Sequence, residues 1–132
     1  MRGATVRLPE GWEPDPTNTK DILVAAVTDV YPQTMGVVAF PETFTDLDTQ
    51  VKQVRRQARG RIRYERMPDI YVAGARFYYL SGRDSITRRD WTISIGGNYG
   101  GLNYTVGFTL AGKSDAERAE LVDPVLASWE WK

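Results

Sequence analysis

Hydrophobic and polar positions alternate along most of this chain, and the period lengthens from two to about 3.6 in two places. Ala4, Val6 and Leu8 oppose Thr5 and Arg7, as in a half-buried strand. Pro9-Glu10-Gly11-Trp12-Glu13-Pro14-Asp15-Pro16 follows, and its three prolines predict an ordered loop. Ile22 to Val30 and Met35 to Phe40 are rich in Val and Ile and read as two strands joined by Tyr31-Pro32-Gln33-Thr34.

The first helical stretch has Thr45 as N-cap and Asp48 three residues on, an approximate capping box. Leu47, Val51, Val54 and Ala58 form its apolar stripe, and Gly60 ends it. The pattern then returns to β. Ile62 to Met67 predicts a strand, Ile70-Tyr71-Val72 starts another at a Gly74 kink, and Ala75, Phe77, Tyr79 and Ser81 alternate with Arg76, Tyr78 and Leu80. Trp91, Ile93 and Ile95 share a face of the next strand. Leu102, Tyr104, Val106, Phe108 and Leu110 share one on the cleanest strand of all. The short connections Gly82 to Ser85 and Gly96 to Gly101 predict an antiparallel meander.

A second helix opens at Ser114, with Glu117 completing a Ser-x-x-Glu box. Leu121, Val122, Val125 and Trp129 lie on its buried stripe. Pro124 either kinks this helix or restarts it with Asp123 as cap. The order β-loop-ββ-α-ββββ-α predicts one α+β domain over residues 1–132, with an antiparallel sheet of about six to seven strands covered by helices.

Composition narrows the chemistry. Among 132 residues there is no His and no Cys. A Cys nucleophile, a Ser-His-Asp triad, a disulfide and a Cys/His zinc site are therefore excluded. Asp46 and Asp48 sit at a helix start, as Asp115, Glu117 and Glu120 do, and read as capping and dipole partners. Asp84 and Asp90 flank Arg88 and Arg89 as surface charge of a hairpin. Glu10, Glu13, Asp15 and Asp21 form the acidic loop cluster, but a hard cation needs more oxygens converging from one loop. Gly96-Gly97-Asn98-Tyr99-Gly100-Gly101 lies between strands, not before a helix, so it predicts a hairpin turn and not a phosphate loop. No catalytic residue, metal or cofactor is expected.

Seventeen basic and seventeen acidic side chains balance, but they segregate. Residues 1–50 hold three basic and eight acidic groups, residues 51–90 eleven and four, and the remainder three and five. The basic excess is densest at Arg55, Arg56, Arg59, Arg61, Arg63 and Arg66. A neutral total disfavours nucleic acid, and the local excess reads first as a solvated helix end running into an exposed strand, with a patch for phosphates or an acidic partner as the alternative. No apolar run reaches the roughly 18 residues of a membrane span. Met1-Arg2-Gly3-Ala4-Thr5 has no h-region. The chain is thus expected in the cytoplasm, or in the envelope or outside the cell where a leader has been removed. An open sheet edge fits a monomer or weak homodimer.

Phe77-Tyr78-Tyr79 puts aromatic side chains on both faces of one strand. If helices cover only one face, Tyr78 is displayed. Trp12, Tyr78, Tyr99, Arg55, Arg59 and Arg63 are accordingly the expected partner-binding residues.

Several local sequences resemble the Mog1/PsbP-like superfamily, including DcrB-type and LpqN-type proteins. Val6-Arg7-Leu8-Pro9-Glu10-Gly11-Trp12 resembles its first strand and "P-x-G-W" turn. The helix end Arg55-Arg56-Gln57-Ala58-Arg59-Gly60, the stretch Val72-Ala73-Gly74-Ala75-Arg76-Phe77-Tyr78 and the close Leu126-Ala127-Ser128-Trp129-Glu130-Trp131 are similar to its later motifs, in the same order. The resemblance implies a curved antiparallel sheet in an α/β/α arrangement and no shared catalytic residues. It also implies accessory or adaptor work on a protein partner, in the manner of a chaperone, or binding of a small apolar ligand or lipid as in an LpqN-type envelope domain. The lipobox Cys of a lipoprotein precursor is absent from this sequence.

Overall fold

A computed structural model describes residues 4–9, 12–14, 22–27, 33–41 and 46–131. The strands are β1 (Ala4–Thr5), β2 (Glu13–Pro14), β3 (Ile22–Val27), β4 (Thr34–Pro41), β5 (Glu65–Val72), β6 (Ala75–Arg83), β7 (Asp90–Tyr99), β8 (Leu102–Ala111) and β9 (Glu130–Trp131), with helices α1 (Leu47–Ala58) and α2 (Asp115–Ala127). Among the described residues, seven strands form one antiparallel sheet in the order β2-β3-β4-β8-β7-β6-β5. β1 and β9 pair separately, Ala4 opposite Trp131. The fold is α+β, as the periodicity predicts.

Alternation assigns the two faces. Met35, Val37, Ala39, Phe77, Ile93, Ile95, Tyr104, Val106, Phe108 and Leu110 point to one side, where they pack with Trp12, Val122, Val125 and Trp129. Burying each large side chain here stabilises the fold by roughly 1.5–3 kcal/mol. On the other side Tyr78 and Leu80 pack against Val51 of α1, with Leu47, Val54 and Tyr64 around them. Helices thus cover both faces, giving the α/β/α arrangement that the resemblance implied.

Local chemistry explains the boundaries that differ from expectation. α1 is capped by Asp46, whose Oδ1 accepts from the Thr49 amide at 2.6 Å. The expected cap, Thr45, lies outside the described residues, as do residues 15–21 and 28–32 of the early loop and turn. Arg59 (φ 52°) and Gly60 (φ 76°) turn the chain out of α1 in the left-handed region. Ile62 makes only an isolated bridge to Asp84, and the strand starts at Glu65. It runs through Pro68 with a register shift between Met67 and Ile70, tolerable because β5 is at the sheet edge. Ala73 (φ 47°) and Gly74 (φ 86°) form a two-residue turn, not a kink.

The connection expected over Gly96 to Gly101 is shorter: only Gly100 and Gly101, with φ of 59° and 80°, make the turn. Gly96 and Gly97 lie inside β7. A Cβ on Gly96 would stand 2.5 Å from the Tyr78 hydroxyl oxygen, and one on Gly97 would collide with the Phe77 ring. The glycines let two rings lie across the strand, one on each face. α2 keeps the Ser114–Glu117 capping box and passes through Pro124 without restarting.

Candidate functional site

Two segments are clasped together at one end of the sheet, the α1–β5 connection and the β6–β7 hairpin. Asp84 is the clasp. Its Oδ1 accepts from the amides of Ile86 (2.8 Å) and Thr87 (3.2 Å), and its Oδ2 takes the Arg61 Nε–H at 2.9 Å. The Ser85 amide donates to the Arg61 carbonyl at 2.8 Å. Gly82 lets the backbone pass close, since a Cβ there would be 2.5 Å from the Arg63 carbonyl oxygen. Burial raises the Asp84 pKa, but the two amides and Arg61 outweigh it and hold the carboxyl below its ordinary value. Asp84 is therefore a buried structural anchor and not the surface charge that the sequence pattern suggested.

This clasp positions an arginine-rich surface. Of the six arginines in the dense run, Arg61 is held by Asp84 and Arg66 by Asp48 (2.5 Å) and Asp69 (3.2 Å). Arg56 donates to Gln53. Arg55 donates to the Tyr64 carbonyl at 3.2 Å, and among the described residues no carboxylate pairs with Arg55, Arg59 or Arg63. All three are exposed, and so is Ile86 (71%) on the hairpin that Asp84 ties to Arg61.

The other expected binding residues lie elsewhere. Tyr78 is 1% exposed and sits beneath α1, because that helix covers the face on which Tyr78 was expected to be displayed. Burial raises its pKa, partly offset by hydrogen bonds with Ser94 and Thr105. Trp12 is buried in the opposite core, and its amide donates to the Pro9 carbonyl. Tyr99 is on the surface, but at the far end of β7 from the hairpin, roughly 26 Å along the strand from Trp91. It stacks on Trp131 with centroids 3.9 Å apart. Arg55, Arg59 and Arg63 are exposed on α1 and the connection that follows it, Tyr99 lies apart, and Trp12 and Tyr78 are buried.

A second basic group was missed by sequence reasoning. Arg83, Arg88, Arg89, Lys113 and Arg118 surround Trp91 on the α2 side of the same end. Arg88 and Arg89 were visible only as hairpin charge. Arg118 stands alone in an acidic stretch, and nothing in its spacing ties it to Trp91. A third feature is a gap of about 250 Å³ between α1 and the sheet, lined by Gln50, Gln53, Val54 and Gln57 of α1 and by Phe40, Pro41, Tyr78, Asn103 and Thr105. No group of three or more His, Cys, Asp or Glu side chains suited to a metal ion occurs among the described residues, and no helix there is long and apolar enough to cross a membrane.

No protein-family model matches the sequence, and no curated protein does either. Solved structures do match. Cyanobacterial PsbP (CyanoP) from Synechocystis superposes with a TM-score of 0.63 at 14% identity, over 100% of this chain and 94% of that one. LpqN, involved in cell envelope biogenesis of Mycobacterium tuberculosis, gives 0.62 at 12% identity, over 100% and 86%. A protein of Bacteroides thetaiotaomicron gives 0.61 at 10% identity, over 98% of this chain and 45% of that one. The chain thus spans less than half the length of that Bacteroides protein. These likenesses give the chain the Mog1/PsbP-like fold.

Proposed function

We propose that this chain is a non-catalytic accessory domain that binds an acidic protein partner, as an adaptor or chaperone does, at the end of the sheet bearing Arg55, Arg59 and Arg63. The observation that carries this reading is the grouping of three exposed arginines with no carboxylate partner among the described residues. Exposed ion pairs each contribute only about 0.2–1 kcal/mol, so the arginines mainly steer and orient the partner. Ile86, exposed on the hairpin that Asp84 ties to Arg61, supplies an apolar anchor. The absence of His and Cys from the sequence supports a role in binding over one in catalysis. LpqN is involved in cell envelope biogenesis, and a similar setting for this chain is part of the proposal.

Capture from an extract of the cells that make the protein tests it. The wild-type domain is expected to retain an acidic protein that Arg59→Glu/Arg63→Glu loses and Tyr99→Ala keeps. Identical capture by all three would refute the arginine surface.

The gap between α1 and the sheet favours a second reading, a small apolar ligand held against Phe40, Pro41, Val54 and Tyr78. Native mass spectrometry of the purified chain is then expected to show added mass, and a clean apo mass counts against it.

A further inference from the structure

Beyond the partner-binding reading, the geometry points to a phosphoryl-binding pocket beside Trp91, on the α2 side of the sheet. The pocket has a volume of about 430 Å³ and is lined by Arg83, Arg88, Arg89, Lys113 and Arg118 around the indole. Five cationic side chains line it, of which Arg118 is paired with Asp115. Like charges gathered this way repel one another, and a multiply charged anion relieves the repulsion.

Arg118 makes this a built site. It is 8% exposed, and its guanidinium lies 4.0 Å from the Trp91 ring centroid, so the aromatic face fixes its plane. A guanidinium has five N–H donors. Here Nη1 donates to the Lys113 carbonyl at 2.6 Å and Nη2 to Asp115. The ring and these two acceptors hold the guanidinium in one orientation at the pocket wall. Arg83 approaches the same ring at 5.9 Å, and Arg88 is placed by a left-handed backbone (φ 58°) that follows the Asp84 clasp. The N-terminus of α2 adds little, because Ser114 and Glu117 already cap it and Asp115 joins Glu117 in its first turn.

Tetrahedral phosphoryl oxygens fit this arrangement, because several arginines can each give them charge-assisted hydrogen bonds. The ligand class is a phosphoryl group carrying two or more negative charges, borne by a small soluble molecule or by a lipid headgroup.

Inorganic pyrophosphate is the probe, titrated calorimetrically at constant ionic strength into the wild-type chain, Arg83→Gln/Arg88→Gln and Arg55→Gln/Arg59→Gln. Arg83 and Arg88 are exposed, so their replacement leaves the core intact. Saturable binding is expected, weakened at least about tenfold by Arg83→Gln/Arg88→Gln and unchanged in the other variant. In a parallel arm, cosedimentation with phosphatidic acid vesicles that depends on Arg83 and Arg88 identifies a lipid headgroup as the source. Pyrophosphate binding without cosedimentation identifies a soluble phosphate. No saturation of either probe up to about 10 mM means that water alone fills the pocket, and this overturns the proposal. Equal loss in both arginine pairs also overturns it, as general surface charge. Because Arg59 and Arg63 are outside this site, partner capture and phosphoryl binding fail independently.

Discussion

Tyr78 lies across Gly96 on the neighbouring strand, so close that any Cβ at Gly96 would meet the phenol at 2.5 Å. The ring fills the space that a side chain would otherwise occupy, and α1 closes over it. Gly96→Ala is expected to destabilise the fold by about 1–3 kcal/mol, the cost of overpacking a filled interior. Urea unfolding measures it. A neutral result would show that the ring moves aside without strain.

The same contact marks where sequence reading stops. The Tyr104 to Leu110 alternation, the Ser114–Glu117 box and the stripe of α1 are local patterns, and each appears where expected. Gly96-Gly97 looks like a turn because its neighbours in sequence say nothing of Phe77 and Tyr78 across the sheet. Tyr78 looks displayed because no local signal tells which face α1 will cover. The pairing of Arg118 with Trp91 joins residues 27 positions apart in the chain, and only the fold brings them together. Arg55, Arg59 and Arg63 are legible as a basic, exposed stretch because one helix end and its connection carry them.

Tyr78→Ala is expected to cost about 3–5 kcal/mol through the cavity it leaves, while Tyr78→Phe costs about 1 kcal/mol for the lost hydrogen bonds. Per folded molecule, Tyr78→Phe should bind a partner as the wild type does. Reduced capture by well-folded Tyr78→Phe would return Tyr78 to the binding surface.

Burial keeps the phenols of Tyr78 and Tyr79 above their ordinary pKa, and burial together with nearby Tyr78 pushes Tyr64 up to about 12. The folded chain therefore binds more protons than the unfolded chain above the unfolded value of 10.0. This stability is fully present below about pH 10 and is lost as pH rises toward 12. The urea midpoint should fall over that window, and Tyr64→Phe should flatten the fall. A flat wild-type profile would contradict the burial of these hydroxyls.

Asp84→Asn removes the charge that holds Arg61 and weakens the acceptor for two amides. Amide exchange at Ile86 and Thr87 is expected to accelerate, while β8 stays protected. The Asp84 carboxyl is held below its ordinary pKa, so its contribution is present above about pH 4 and is lost as pH falls further. Unchanged exchange would show that the hairpin holds itself without the clasp.

The most direct test of the central claim is the affinity of the captured partner measured against salt concentration. For the wild-type domain it should fall steeply with salt, because opposite charges at an exposed surface are screened within about 10 Å at 0.1 M. Arg59→Glu/Arg63→Glu should weaken binding at least about tenfold at low salt and flatten the dependence. Tyr99→Ala should alter neither. An affinity that is indifferent to salt and to both arginines, or one that collapses in Tyr99→Ala alone, would contradict the account.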